Sequence, residues 1–310
     1  MSNDDLLIPQ EESEELEFII ERDDEKVPSF GGPTETPSSK KRKKWLLIAI
    51  ALIAMTALAY GAYKGWRFYK ARQLGVSISV KPKENVSKLQ TAPAAEMAEV
   101  KHTSDSIQGV NLDFYEIHGL RACIEFDEPK LENDSVYLYC RSADHMADTT
   151  YLGTLVINGK EYQRDRINRL GYMGMVDDRM VIGVSPDEDV KDYVMKNGGS
   201  FFRQFVLVSN GDVPPRFYLT GKNIRKAIGR IADNKGERLV FISTRDKITI
   251  RDFAYALREY GLIDAIYITG GPDYCYYRTS DGSRHDIGDI ERYPHKKWKG
   301  IIPWLVFRKR

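Results

Sequence analysis

The stretch from Gly221 to Arg278, GKNIRKAIGRIADNKGERLVFISTRDKITIRDFAYALREYGLIDAIYITGGPDYCYYR, decides the fold class of this chain. It opens on an apolar alternation, Ala227-Ile228-Gly229-Arg230-Ile231. A turn of Asp233, Asn234, Lys235 and Gly236 then leads into Leu239-Val240-Phe241-Ile242-Ser243. Two runs of β-period joined by turn residues predict a hairpin. Thr249 follows as an N-cap, with Asp252 three residues on as its acidic first-turn partner. Phe253, Ala256, Leu257 and Tyr260 recur at helical spacing, and Gly261 sits where a left-handed stop belongs. Ala265-Ile266-Tyr267-Ile268 then reads as a short buried strand running into Thr269-Gly270-Gly271. A strand ending in two glycines lets the backbone approach another group closely, which makes this end the first place to look for a site.

The same pattern continues upstream. From about Asn111, β-rich runs alternate with turns: Phe114–Ile117, Ala122–Phe126, Val136–Cys140, Leu155–Ile157, Met180–Gly183 and Phe205–Ser209. Helical patterning is confined to Glu188–Lys196 and Ile250–Tyr260. Many strands with few helices predict an α+β domain on a mixed, mainly antiparallel sheet, and the strand-helix alternation of a doubly wound fold is missing.

Three motifs in this order resemble the phosphodiester glycosidase family, whose members include bacterial relatives of the lysosomal uncovering enzyme, which removes N-acetylglucosamine from a phosphodiester. Arg225-Lys226-Ala227-Ile228-Gly229 is similar to the family's R-x-A-I-G hairpin, and Ile248–Ala254 to its helix start. Asp264-Ala265-Ile266-Tyr267-Ile268-Thr269-Gly270-Gly271 is similar to its D-A-I-x-L-D-G-G strand. Leu155–Lys160 and Phe205–Gly211 look like two further hairpins of the family, and the resemblance spans roughly residues 111–308, as in a divergent bacterial member. Asn197-Gly198-Gly199-Ser200-Phe201-Phe202 mimics another family string but follows the first of these hairpins instead of preceding it, so it reads as a turn before a strand. One departure matters: Thr269 stands where the family carries an acidic residue. A hydroxyl cannot replace a carboxylate as a charge or general base.

The resemblance implies a site that handles a sugar phosphodiester. Arg225 becomes the expected phosphate contact, since a guanidinium fork fits two phosphate oxygens. Gly270 and Gly271 would offer backbone N–H groups to an anion, beside Thr269. Asp144 and His145 occupy the family's site-lining segment and are the candidate acid and base, with Arg141 adding positive charge. Tyr274, Tyr276 and Tyr277 suggest a sugar-stacking platform, flanked by Arg278. The competing reading is a binding or scaffold module that keeps the fold without the chemistry.

The rest of the chain concerns placement. The 46 basic and 45 acidic residues nearly cancel, to a net charge of +1, but unevenly. Residues 1–39 are acidic and poor in aromatics, a composition that predicts a disordered tail; its Leu16–Ile20 run could serve as a small docking motif. Residues 40–66 combine a basic run, Lys40–Lys44, with the uncharged Trp45–Tyr63, long enough for a single membrane span with aromatic residues at both edges. Five basic residues before the span and four after it favour a cytoplasmic N-terminus, and the resemblance adds weight to a periplasmic or extracellular domain. Residues 67–109 read as a juxtamembrane strand or helix and a stalk, with the domain at 110–310. Sequons at Asn85 and Asn133 carry meaning only in a eukaryotic secretory pathway.

The five histidines and three cysteines lack metal-ligand spacing, and no P-loop, dinucleotide fingerprint or basic nucleic-acid face is present. The apolar run makes the membrane one expected partner, and the resemblance implies a phosphorylated glycan as the other. Cys123 and Cys140 are consistent either with a disulfide, leaving Cys275 unbonded, or with buried thiols. Ser283, His285 and Asp286 match a hydrolytic triad in composition only, because neighbours in sequence do not form that geometry.

Overall fold

The computed structural model describes residues 39–73, 81–92, 96–130, 132–142, 151–163, 169–217, 219–234, 236–269, 275–287 and 303–310. The acidic N-terminal tail lies outside these residues. Helix α1 (Ser39–Gln73) carries the apolar run; its Lys44–Trp66 segment has a mean hydropathy of 2.1 and is long and apolar enough to cross a membrane. At about 1.5 Å per residue these 23 residues rise about 35 Å, against a hydrocarbon thickness of about 30 Å. The apolar side chains of that segment are exposed around the helix, an arrangement that water penalises and lipid does not.

Helix α2 (Lys81–Gln90) and strand β1 (Glu99–Ile107) occupy the stretch expected to be a stalk, yet both pack as parts of the folded body. Helix α2 buries Leu89 and Asn85, and the Asn85 amide donates to the Tyr172 hydroxyl at 2.8 Å. That buried bond leaves the first sequon no glycan acceptor in the folded protein. Strand β1 pairs along its whole length with β2 (Val110–His118) through a two-residue turn at Gln108-Gly109, both at positive φ. Its middle, His102–Ser106, is polar and exposed, so the run has no apolar alternation to betray a strand.

The remaining elements follow in chain order: β3 (Leu120–Glu125), β4 (Val136–Arg141), β5 (Leu155–Ile157), β6 (Lys160–Gln163), β7 (Gly171–Val176), β8 (Arg179–Val184), α3 (Glu188–Lys196), β9 (Ser200–Gln204) and β10 (Val206–Ser209). Then come the predicted hairpin β11 (Lys226–Asp233) and β12 (Gly236–Thr244), the predicted helix α4 (Ile250–Tyr260), β13 (Leu262–Ile268), β14 (Cys275–Arg278), β15 (Arg284–Ile287) and β16 (Trp304–Lys309). They form three sheets, ordered β1-β2-β12-β11-β13-β10, β15-β14-β4-β16-β3 and β6-β5-β9-β7-β8. All strand pairings among the described residues are antiparallel.

Alternation along these strands divides the apolar residues between an inner face and an outer one. The inner faces of all three sheets share one core: Tyr115, Phe241, Ile228 and Ile266 from the first, Leu138, Leu305 and Phe307 from the second, and Met173 and Phe202 from the third. The outer face of the first sheet (Phe114, Val240, Ala227, Tyr267) is covered by Phe253, Ala254 and Leu257 of α4. The third sheet's outer face (Val156, Tyr172, Phe201) is covered by Leu89 of α2 and by Val190 and Val194 of α3. The outer face of the second sheet gathers Tyr139, Tyr276, Trp304 and Val306.

Local signals set the edges of these elements. Gly229 has no Cβ because one there would meet Leu262 Cδ2 at 2.3 Å and the Asp264 carbonyl at 2.9 Å, so strand β11 can lie against β13 only with glycine. Asp187 precedes α3 without capping it, because its fully buried carboxylate is bound by Arg203, whose Nε donates to Oδ2 at 2.7 Å and whose Nη2 bonds Oδ1. This pair ties the start of α3 to β9. At α4 the cap is the one the sequence predicts. Thr249 Oγ1 accepts from the Asp252 N–H at 3.1 Å and donates to the Asp252 carboxylate at 2.7 Å, and Gly261 ends the helix at φ 103°. Replacing Thr249 by Ala should therefore cost about 1 kcal/mol of stability, with Thr249→Ser retaining most of it, read as the denaturant midpoint of the full chain in detergent.

Candidate functional site at the polar end of the inter-sheet core

The registers of the first sheet align its inner side chains in rows. One row is apolar: Tyr115 lies across from Phe241, Phe241 from Ile228, and Ile228 from Ile266. Two residues farther along each strand, about 7 Å, the next inner row is polar. There Ser104 lies across from Asp113, Asp113 from Ser243, Ser243 from Lys226, and Lys226 from Ile268. Lys226 is only 1% exposed. Gln204 extends this row from the other side, because the Tyr267 N–H donates to the Phe205 carbonyl at 2.8 Å and sets Gln204 toward the end of β13. Its Nε2 is buried without a hydrogen-bond partner, as is Oγ1 of Thr269 just past that strand. Unsatisfied buried polar atoms are rare in folded proteins, and two of them mark this end of the domain.

The second sheet closes over the row. Cys140 at the end of β4 and Cys275 at the start of β14 are both buried in the inner core. Burial pushes the Cys140 thiol well up; the nearby charge of Cys275 adds to this and that of Lys226 opposes it. The three groups therefore lie within electrostatic reach of one another. At the β1 edge His285 stacks on Tyr277 and His102 on Tyr115, and the two tyrosines meet at a tilt of 59°, with centroid spacings of 4.7 to 4.8 Å throughout. Burial first, then Asp113, raises the pKa of Tyr115 and that of Tyr277, so both hydroxyls stay protonated.

Asp113 Oδ1 lies 3.2 Å from His102 Nε2 and accepts from Ser104 Oγ at 2.5 Å. Both partners converge on one carboxylate oxygen through the same edge of the ring. A nucleophile relay needs the imidazole between hydroxyl and carboxylate on two different nitrogens, so this cluster is a shared acceptor and not a triad. Chemically, the row offers a lysine amine and a serine hydroxyl as donors to an anion, and the Asp113 carboxylate as an acceptor.

The sequence-predicted residues are distributed differently from the expectation. Asp144, His145, Gly270, Gly271 and Tyr274 lie outside the described residues. Arg225 faces away from the inner row toward α4. Its Nε donates to the Ile248 carbonyl at 3.3 Å, its Nη1 to the Tyr267 hydroxyl at 3.4 Å, and its Nη2 to the Gly221 carbonyl. Arg141 sits on the outer face of the second sheet, its guanidinium 5.4 Å from the centre of the Trp304 ring. Arg278 lies at the far end of β14 on the outer face, bonded to the Tyr276 hydroxyl at 3.2 Å and to Asp134 at 2.7 Å. Tyr276 packs on that outer face as well, so of the two platform tyrosines among the described residues it is Tyr277 that lies on the inner side. The β11–β13 register sets Arg225 and Thr269 side by side on the outer face of the first sheet, Arg141 is on the outer face of the second, and Arg278 is not gathered with them.

Sequence reading missed Lys226, Ser243 and Asp113. The available signal was the β-period itself, since Lys226 keeps step with Ile228 and Arg225 with Ala227. Nothing in one strand says which of its two faces meets the other sheets. The cysteine reading also changes. Cys123 and Cys140 are on β3 and β4, which are separated by β16, and they occupy opposite faces of the sheet. All three cysteines are thiols in the structure. His285 and Asp286, adjacent on β15, alternate in direction, consistent with setting the Ser283 constellation aside.

Because the Arg225 fork ties two loop carbonyls, Arg225→Lys cannot restore what Arg225→Ala loses. Both variants should lower stability, by about 1 to 3 kcal/mol for the carbonyls and hydroxyl left without their charged donor. A thermal melt of the full chain checks this: two variants with the wild-type midpoint would mean that the fork holds nothing.

Residues 140–297, just over half of the chain, match the family described as phosphodiester glycosidase. No curated protein sequence matches the chain. Among solved structures, the catalytic domain of zebrafish N-acetylglucosamine-1-phosphodiester alpha-N-acetylglucosaminidase, auto-inhibited by its pro-peptide, is similar at 13% identity and a TM-score of 0.47. That match covers 72% of this chain and 86% of the zebrafish chain. A hypothetical protein from Synechocystis is similar at 9% identity and a TM-score of 0.48, covering 71% of this chain and 64% of that one. On the family match, which runs from the last residues of β4 through β15, this chain belongs to the phosphodiester glycosidase family.

Proposed function

We propose that this protein is a membrane-anchored, extracytoplasmic phosphodiester-glycosidase-like protein whose domain takes a phosphorylated glycan at the polar end of the inter-sheet core. Family membership supports the class of ligand, and the apolar Lys44–Trp66 helix supports the anchor. The single observation that carries the placement is Lys226, a lysine on the inner face where the apolar core gives way to Asp113 and Ser243. An amine in a low-dielectric setting attracts a phosphate far more strongly than one on the surface does. In this reading Lys226 holds the phosphate, and Arg225 acts by fixing the loop from which β11 starts. On the family resemblance, Asp144 and His145 are the proposed acid and base, and Gly270, Gly271 and Tyr274 are proposed ligand contacts.

A second reading, binding without turnover, is favoured by one observation. Thr269 replaces the family's acidic residue, and its hydroxyl is buried without a partner. The ladder of β11 and β13 ends at Lys226 and Ile268, and the next residue on each strand is Arg225 and Thr269. A carboxylate at position 269 would thus emerge alongside the Arg225 guanidinium, which here uses carbonyls and a tyrosine hydroxyl instead.

The test is an assay of the full chain in detergent on N-acetylglucosamine joined through a phosphodiester to an aryl group, with release of the sugar and equilibrium binding both measured. Turnover that falls about a hundredfold in Lys226→Met supports the enzyme and its phosphate contact. Binding without turnover in the wild type, with turnover appearing in Thr269→Asp, supports the module. Neither binding nor turnover in the wild type would overturn both readings.

A further inference from the structure

Two of the three cysteines face each other across a strand pair that the sequence did not suggest. The β4–β14 ladder pairs Tyr139 with Tyr276 and Leu138 with Tyr277. One step farther, still within both strands, Cys140 comes opposite Cys275. Both side chains belong to the inner core, so they leave the sheet on the same face. Directly opposed residues of an antiparallel pair have Cα atoms about 4.5 to 5.5 Å apart, which falls inside the disulfide range of about 4.4 to 6.8 Å. From this geometry we infer that Cys140 and Cys275 are a disulfide-forming pair, a covalent clip between β4 and β14 at the end of the core where Lys226 lies.

The electrostatic coupling between the two thiols agrees with this proximity. Cys123 is not an alternative partner. It lies on the outer face, and its thiol donates to Glu125 Oε1 at 3.4 Å; burial and then the Glu125 carboxylate push its pKa up to about 12.

The bond forms by exchange with an oxidant of the disulfide class, a small-molecule disulfide or the disulfide of a protein oxidant. The thiolate of one cysteine attacks the oxidant's S–S bond, which breaks to give a mixed disulfide and one thiol. The second cysteine's thiolate then attacks the mixed disulfide, forming the Sγ–Sγ bond and releasing the oxidant's other sulfur as a thiol. The two protons given up by Cys140 and Cys275 end on those two thiols, and two electrons pass to the oxidant. Since burial disfavours the Cys140 thiolate, exchange is slow in the closed domain and proceeds when the sheets open or before they close.

The test is independent of where the protein resides. The full chain in detergent, first reduced, is brought to equilibrium in glutathione buffers of stepped oxidised-to-reduced ratio, alkylated under denaturing conditions and mapped by mass spectrometry. The expected result is a linked Cys140–Cys275 peptide, lighter by about 2 Da than its two thiol forms together, rising as one step while Cys123 stays alkylated. Cys275→Ser should abolish the linked peptide and leave Cys140 alkylated. Three thiols that each take up glutathione separately, or a linkage that includes Cys123, would overturn the assignment.

Discussion

Three antiparallel sheets in this domain must each turn one face into the same core, and the rest of the structure follows from that demand. Tyr115, Phe241, Ile228 and Ile266 interlock with Leu138, Phe307, Met173 and Phe202 because every strand sends alternate residues inward. Each fully buried aromatic or branched side chain contributes about 1.5 to 3 kcal/mol relative to exposure. A one-residue slip in any ladder would exchange its inner and outer sets, so the registers are held firmly. The outer faces are then completed by helices: α4 on the first sheet, α2 and α3 on the third.

Such a core ends somewhere, and how it ends creates the candidate site. Within two residues along β2, β12 and β11 the inner row changes from aromatic and aliphatic to Asp113, Ser243 and Lys226. Polar groups tolerated here would cost several kcal/mol deeper in the core unless paired. Two other buried arginines are paired with carboxylates, Arg203 with Asp187 and Arg230 with Asp264. The same row brings Lys226 near Cys140, so the proposed anion site lies at the end of the core where Cys140 and Cys275 are buried.

Arg225 and Lys226 illustrate how much one residue of strand period decides. Both are basic and both belong to the motif that resembles the family hairpin, yet they serve opposite faces. Arg225 spends its donors on Gly221, Ile248 and Tyr267, which fixes the approach to β11. Lys226 enters the inner row. With Thr269 in place of a carboxylate, the hydrogen bonds of Arg225 at this junction run to neutral oxygens.

The sequence by itself determined what depends on near neighbours: the β11–β12 hairpin from its turn residues, α4 from Thr249, Asp252 and Gly261, α3 from its periodicity, and the apolar segment of α1 from its composition. It also carried the family, because the motifs that mark it are contiguous. It did not reveal β1, whose exposed polar residues are held by pairing with β2, nor α2, whose short apolar face has meaning only against β8 and α3. The inner face, the partner of Cys140 and the position of Lys226 were decided by the tertiary structure alone. The physical reason is that alternation tells which residues of a strand share a face, while only the packing of one sheet against another tells which face is buried with which.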